Sequence, residues 1–371
     1  MAGTILDYVK EYGEYTFEEK PFNEVDSLVF CQFSYLKLDG IVPCVTENKR
    51  SVSLAYIRKH KDYEKLYADT RYEKVNRALF TQMVDCKRYK KLKLNCYINI
   101  LEPEWETQFS AVTFLLDDKT CYLAYRGTDE TLVGWKEDFN MAFQDPVPGQ
   151  SFAAKYMNMV TGRLTCNFYV GGHSKGGNFA VYAAMNCTRE VQSRILRVYN
   201  HDGPGFRPEV LARFDTEALQ GRMIRILPHS SLVGMLFSPV DSPYEVVESK
   251  SFGLMQHDPY TWLVEEDHFV KVQDIYKLRK FSDGTINEWI LSLNEEQTKT
   301  FVDTLYTVIS ASKAETLIDF TADWFKSMSK VLAALKEVDE DTRKVVNKVI
   351  KTLFLMAGER MSLQKSKKIP G

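Results

Sequence analysis

The chain has 371 residues, 44% of them hydrophobic and 26% charged, a balance that suits a globular chain with a full core and excludes a fibrous or disordered one. Its net charge of −2 gives no global attraction for nucleic acid. No apolar run is long enough to span a bilayer.

Length as a soft prior suggests about two domains. The start, Met1 to Asp7, lacks a basic region followed by an apolar run, so no signal peptide is expected. Seven scattered cysteines, none spaced as C-x-x-C, read as free thiols of a reducing cytoplasm. The expected location is therefore cytoplasmic, with no zinc site.

Residues 1 to about 20 read as a short helix or arm. Residues 24 to 60 read as a helix followed by a turn at Leu38-Asp39-Gly40, and Arg71 to Asp85 as a second helix. Lys87, Arg88, Lys90, Lys91 and Lys93 form a basic patch. Its plain reading is a solvated loop face, and its sharper one is contact with a membrane surface or an acidic partner. From Phe109 the texture changes. Strands are predicted at Ser110–Leu116, Cys121–Tyr125, Phe168–Gly171, Ile195–Tyr199, Met223–Leu227 and Tyr244–Glu248, with helices at Phe152–Met159 and Gly177–Cys187. Strands alternating with helices indicate a mostly parallel sheet covered on both faces. From about residue 285 the pattern is helical, giving domains of 1–284 and 285–371, the second ending in a disordered tail. Packing on the core is the default role for that helical region, and partner binding or dimerisation the alternative.

The segment richest in chemistry is Gly172-His173-Ser174-Lys175-Gly176-Gly177, between the apolar run Phe168-Tyr169-Val170 and a helix-forming stretch. Glycine at the flanking positions permits a tight strand-to-helix turn that presents a serine hydroxyl at a helix N-terminus. Otherwise Ser174 would only cap a helix. A serine nucleophile needs a base, a group to orient that base, and donors for the oxyanion. His257, after the last predicted strand, is the preferred base, with His229 and His268 as runners-up. The side chain of His173 is expected to point away from the nucleophile. Asp202, opening Asp202-Gly203-Pro204-Gly205-Phe206, is the preferred acid, and Asp241 the alternative. Backbone N–H groups of Thr128 and Lys175 are the expected oxyanion donors. Arg126 is expected to be structural, in an ion pair with Asp138. The apolar stretch Leu232–Phe237 reads as core, or else as an acyl pocket or lid.

These blocks resemble the fungal-type triacylglycerol lipases and their bacterial relatives. The matching pieces are Tyr125-Arg126-Gly127-Thr128, Trp135, Asp138, the Gly172–Asn178 turn, and His257 with Trp262. The chain is more similar still to an uncharacterised bacterial family of lipase-like α/β-hydrolases, through Pro21–Leu28, Asp202–Phe206 and Gln256–Pro259. The resemblance covers roughly residues 20 to 270 and implies an α/β-hydrolase fold with a mostly parallel central sheet, plus the C-terminal helical appendage. Two departures stand out. Lys175 occupies a position that is usually Leu in fungal-type lipases. The segment Leu227–Val233, where those lipases carry their acid, contains no carboxylate.

The resulting expectation is a serine ester hydrolase acting on carboxylic esters, small or lipid, without metal or organic cofactor. Contact with a membrane surface is allowed for. The alternatives are a weakly active or inactive lipase-like scaffold that binds a lipid or protein, and an acyltransferase that uses the same acyl-enzyme.

Overall fold

A computed structural model of the chain describes residues 2–68, 72–102, 104, 107–128, 140–141, 145–214, 217–229, 231, 233–237, 243–251, 253–272, 296–297, 340 and 343–344. The chain divides into two compact units, Met1–Asp129 with Pro146–Asp283, and Glu130–Asp145 with Gly284–Gly371. Nearly all of the helical region expected from residue 285 lies outside the described residues, as do Trp135, Asp138 and Asp241.

The first unit is built on an eight-stranded sheet whose spatial order follows the chain: β1 (Val52–Ser53), β2 (Lys93–Glu102), β3 (Thr107–Leu115), β4 (Thr120–Tyr125), β5 (Asn167–His173), β6 (Ile195–His201), β7 (Met223–Pro228) and β8 (Glu245–Val247). Strands β1 to β4 pair antiparallel, and β4 to β8 pair parallel. Parallel neighbours require crossovers, and helices supply several of them. They are α5 (Pro148–Arg163), α6 (Lys175–Met185) and α7 (Arg189–Arg194). Helices α1 (Ile5–Tyr12), α2 (Glu24–Phe33), α3 (Leu54–Arg58) and α4 (Glu73–Asp85) precede β2. This is an α/β-hydrolase fold with a mostly parallel central sheet.

Strands β3 to β8 coincide with the six predicted segments. β1 and β2 extend the sheet beyond the prediction. The reason lies in β2, which follows the lysine-rich run and carries an irregularity between Asn95 and Ile98, with Cys96 at a φ of 54°. A bulge of this kind breaks the period-2 alternation by which a half-buried strand is recognised.

Opposite faces of β5 meet different helices, because successive side chains on a strand point to opposite sides. A Cβ on Gly171 would lie 3.1 Å from Ser27 Oγ of α2, whereas one on Gly172 would meet the backbone of Gly176, in α6, at 2.1 Å. Helix α2 therefore covers one face and α6 the other. Residues Val25 to Phe33 of α2 are all buried, so this helix is enclosed all round by core. Phe30 stacks on Phe114 at 4.4 Å, and Leu79, Phe80 and Met83 of α4 join the same cluster.

The start of α2 carries a buried ion pair. Asp26 closes the capping box on Asn23 and also receives Arg88 through Nε at 2.7 Å and Nη2 at 2.5 Å. Tyr89 and Tyr8 donate their hydroxyls to the same carboxylate at 2.6 and 3.1 Å. Arg88 Nη1 and Nη2 donate further to the carbonyls of Lys20 and Pro21, which ties the N-terminal arm to the segment between α4 and β2. The reading of residues 87–93 as a solvated basic face is corrected at Arg88 alone. Lys87, Lys90, Lys91 and Lys93 are exposed, but Arg88 is buried and paired. Among the described residues, no helix is long and apolar enough to cross a membrane.

Candidate active site

Strand β5 ends at His173, and α6 begins at Lys175. Ser174, between them, adopts φ 58° and ψ −135°. A non-glycine residue in this region costs about 1–3 kcal/mol and persists only where its surroundings enforce it. Here the Ser174 N–H donates to the His201 carbonyl at 2.9 Å, and the Gly177 N–H donates to the Ser174 carbonyl at 2.8 Å. Two glycines make the turn sterically possible. A Cβ on Gly172 would sit 2.1 Å from the Gly176 carbonyl, and one on Gly176 would sit 2.2 Å from the Tyr125 carbonyl.

The base loop follows β8 as two 3-10 turns, Gly253–His257 and Pro259–Thr261, and closes on the short hairpin Val264–Glu265/His268–Phe269. It brings His257 Nε2 to 2.9 Å from Ser174 Oγ. On the other side of the ring, Nδ1 lies 2.6 Å from Asp202 Oδ2. A carboxylate only accepts, so Nδ1 carries the ring proton, and Nε2 of the neutral imidazole accepts from the serine hydroxyl. The acid's side chain is wholly buried and that of His257 is 18% exposed. The line thus runs from a dry acid to a hydroxyl at the rim of the sheet.

Asp202 follows β6 at a φ of 52°, with its N–H bound to the Ile226 carbonyl at 2.8 Å. Its other oxygen, Oδ1, accepts from the Ser231 hydroxyl and from the Gly234 N–H, the latter at 3.2 Å. Arg225 on β7 donates to the Gly234 carbonyl, and burial pulls its guanidinium pKa down to about 10. The segment Leu227–Val233, which holds no carboxylate, thus contributes Ser231, and Gly234 just beyond it a second donor, to a carboxylate that follows β6. Nothing in the spacing of Arg225, Ser231 and Gly234 announces this role. The stretch read as core, acyl pocket or lid is, from Val233 to Phe237, a set of turns around that acid, with Phe237 buried. Leu232 lies outside the described residues.

Behind the site, His201 is fully buried, with Nε2 2.8 Å from Ser27 Oγ. Burial pushes its pKa down to about 3, so the ring stays neutral and places no charge next to Asp202. The other histidines stand elsewhere. His229 directly follows β7, with its N–H on the Val247 carbonyl. His268 lies beside Asp267 at 3.4 Å, half exposed, and His60 beside Asp62 at 3.7 Å.

The ring of His173 faces that of His257, with centroids 4.7 Å apart. The Arg126–Thr128 loop packs on the nucleophile turn, since a Cβ on Gly127 would lie 3.1 Å from Ser174 Cβ and 2.5 Å from the His173 carbonyl. Arg126 donates to Asn99 Oδ1 at 3.2 Å, while the expected partner Asp138 lies outside the described residues. Lys175 is buried, its ammonium 5.6 Å from the Phe179 ring centre, so the side chain runs along α6.

Similarity to solved structures is low. Lipase II from Rhizopus niveus aligns at a TM-score of 0.38 and 17% identity, covering 67% of this chain and 98% of that one. The M37 lipase aligns at 0.32 and 13% identity, covering 57% of this chain and 69% of that one. A comparison with curated proteins gives no match. A family model does match, over residues 83–307, a span of more than half the chain that contains Ser174, Asp202 and His257: the chain belongs to the Mbeg1-like family.

Proposed function

We propose that this chain is a serine ester hydrolase that forms an acyl-enzyme on Ser174. The observation that carries the reading is the unbroken line Asp202–His257–Ser174, with contacts of 2.6 and 2.9 Å ending on a strained serine at a strand-to-helix turn. In acylation, Ser174 Oγ attacks the ester carbonyl and its proton moves to His257 Nε2. Asp202 stabilises the imidazolium that forms. The C–O bond breaks and the alkoxide leaves with the proton from Nε2. Water then attacks the acyl-enzyme by the same relay, releasing the carboxylic acid and restoring Ser174.

The developing oxyanion is assigned to the backbone N–H groups of Thr128 and Lys175. Support comes from the packing of the Arg126–Thr128 loop on the nucleophile turn. One such donor typically contributes about 2.7–4 kcal/mol to the transition state. The substrate class is a carboxylic ester, including lipid esters. Turnover of p-nitrophenyl esters of rising chain length tests the reading. The wild type is expected to release p-nitrophenol, and Ser174→Ala to lose several orders of magnitude in rate, down to about the 10³–10⁴-fold over water that binding and the oxyanion donors sustain without the nucleophile. Equal rates for the two proteins would contradict it.

A further inference from the structure

Two consecutive carbonyls of the base loop are held by buried ring N–H groups. The Gln256 carbonyl accepts from Trp262 Nε1–H at 2.7 Å, and the His257 carbonyl lies 2.9 Å from His173 Nε2. A carbonyl can only accept, so His173 carries a proton on Nε2. In the neutral ring Nδ1 is then the acceptor, and the Tyr35 hydroxyl donates to it at 3.3 Å. His173 is 5% exposed and Trp262 is 0% exposed, so neither contact is readily replaced by water. His173 also directly precedes Ser174 on β5, so the nucleophile and the loop that carries its base share one rigid anchor.

We propose that His173 is a positioning residue: it ties the His257 backbone to the nucleophile strand and so sets the distance between His257 Nε2 and Ser174 Oγ, with Tyr35 holding the other ring nitrogen. The inference rests on the hydrolase reading above. A side chain that merely filled this space would need no donor. Here the donor meets the one carbonyl belonging to the base residue itself. The loop has little regular structure of its own beyond two short 3-10 turns, so its register against Ser174 depends on such ties. A misplacement of about 1 Å costs on the order of 100-fold in rate. Tyr35 is placed to couple this anchor to the oxyanion side as well, since its hydroxyl lies 2.3 Å from where a Gly127 Cβ would be.

Three variants test the proposal on p-nitrophenyl butyrate. His173→Leu removes the donor. His173→Gln keeps an N–H near the Nε2 position. Tyr35→Phe keeps the ring and removes the hydroxyl at Nδ1. With melting temperatures close to wild type, His173→Leu is expected to lower kcat by about tenfold or more with KM changed by less than about twofold, and His173→Gln to stay within about threefold of wild type. A loss confined to KM, or a glutamine variant as slow as the leucine variant, would overturn the proposal. A second readout is independent of turnover. Nitrogen-15 NMR of labelled histidines should find His173 as the Nε2–H tautomer in the wild type and still in Tyr35→Phe, because the His257 carbonyl alone demands that proton. An Nδ1–H ring in the wild type would overturn the proposal whatever the activity. A wild type that turns over no ester yet shows the Nε2–H ring would refute the hydrolase reading and leave the anchor standing.

Discussion

Asp202→Asn should lower kcat on a p-nitrophenyl ester by about 10⁴-fold while leaving the protein folded. The geometry gives the reason. Oδ1 accepts from Ser231 and Gly234, so an asparagine there keeps its carbonyl oxygen on those donors. Its amide nitrogen then faces His257 Nδ1, now at 2.6 Å from a carboxylate oxygen. An N–H pointing at Nδ1 forces the ring proton onto Nε2, and the imidazole can no longer take the serine proton. Steady-state kinetics with a melting curve decide the matter. A variant within about tenfold of wild type would remove Asp202 from the relay.

Asp26→Ala is expected to destabilise the fold by about 3–5 kcal/mol, because it strands a charge that is fully buried. Arg88 and Asp26 both have side chains with no exposure. The substitution also leaves the Tyr8 and Tyr89 hydroxyls without their acceptor. Urea unfolding at pH 7 should show a large fall in midpoint with little change in slope. A double change, Asp26→Leu with Arg88→Met, should cost less than Asp26→Ala alone, since replacing both partners of a buried pair removes the stranded charge. A single variant within about 1 kcal/mol of wild type would show that the pair is dispensable.

The parallel half of the sheet is legible in the sequence because each of its strands is a short apolar run bounded by turn residues. The antiparallel edge is not, because a bulge at Cys96 and a flanking run of lysines hide the alternation of β2. Composition also conceals Arg88, one basic residue among five in sequence and a buried ion-pair partner in space. Ser174, His257 and Asp202 can be read as a set from turn chemistry and chain order. The supports around them cannot, since Ser231, Gly234 and Arg225 act through a loop that returns from β7 to the end of β6. The contacts of His173 escape the sequence for a related reason. Alternation on β5 turns its side chain to the face opposite α6, and nothing local in sequence says that the base loop, more than eighty residues later, closes over that same face.

The central claim is that Ser174 is an activated nucleophile, and covalent labelling tests it most directly. Incubation of the folded wild type with a fluorophosphonate probe should place one adduct on the peptide containing Ser174, located by mass spectrometry, and none on Ser174→Ala. A folded wild type that stays unlabelled, or an adduct that persists in Ser174→Ala, would contradict the account.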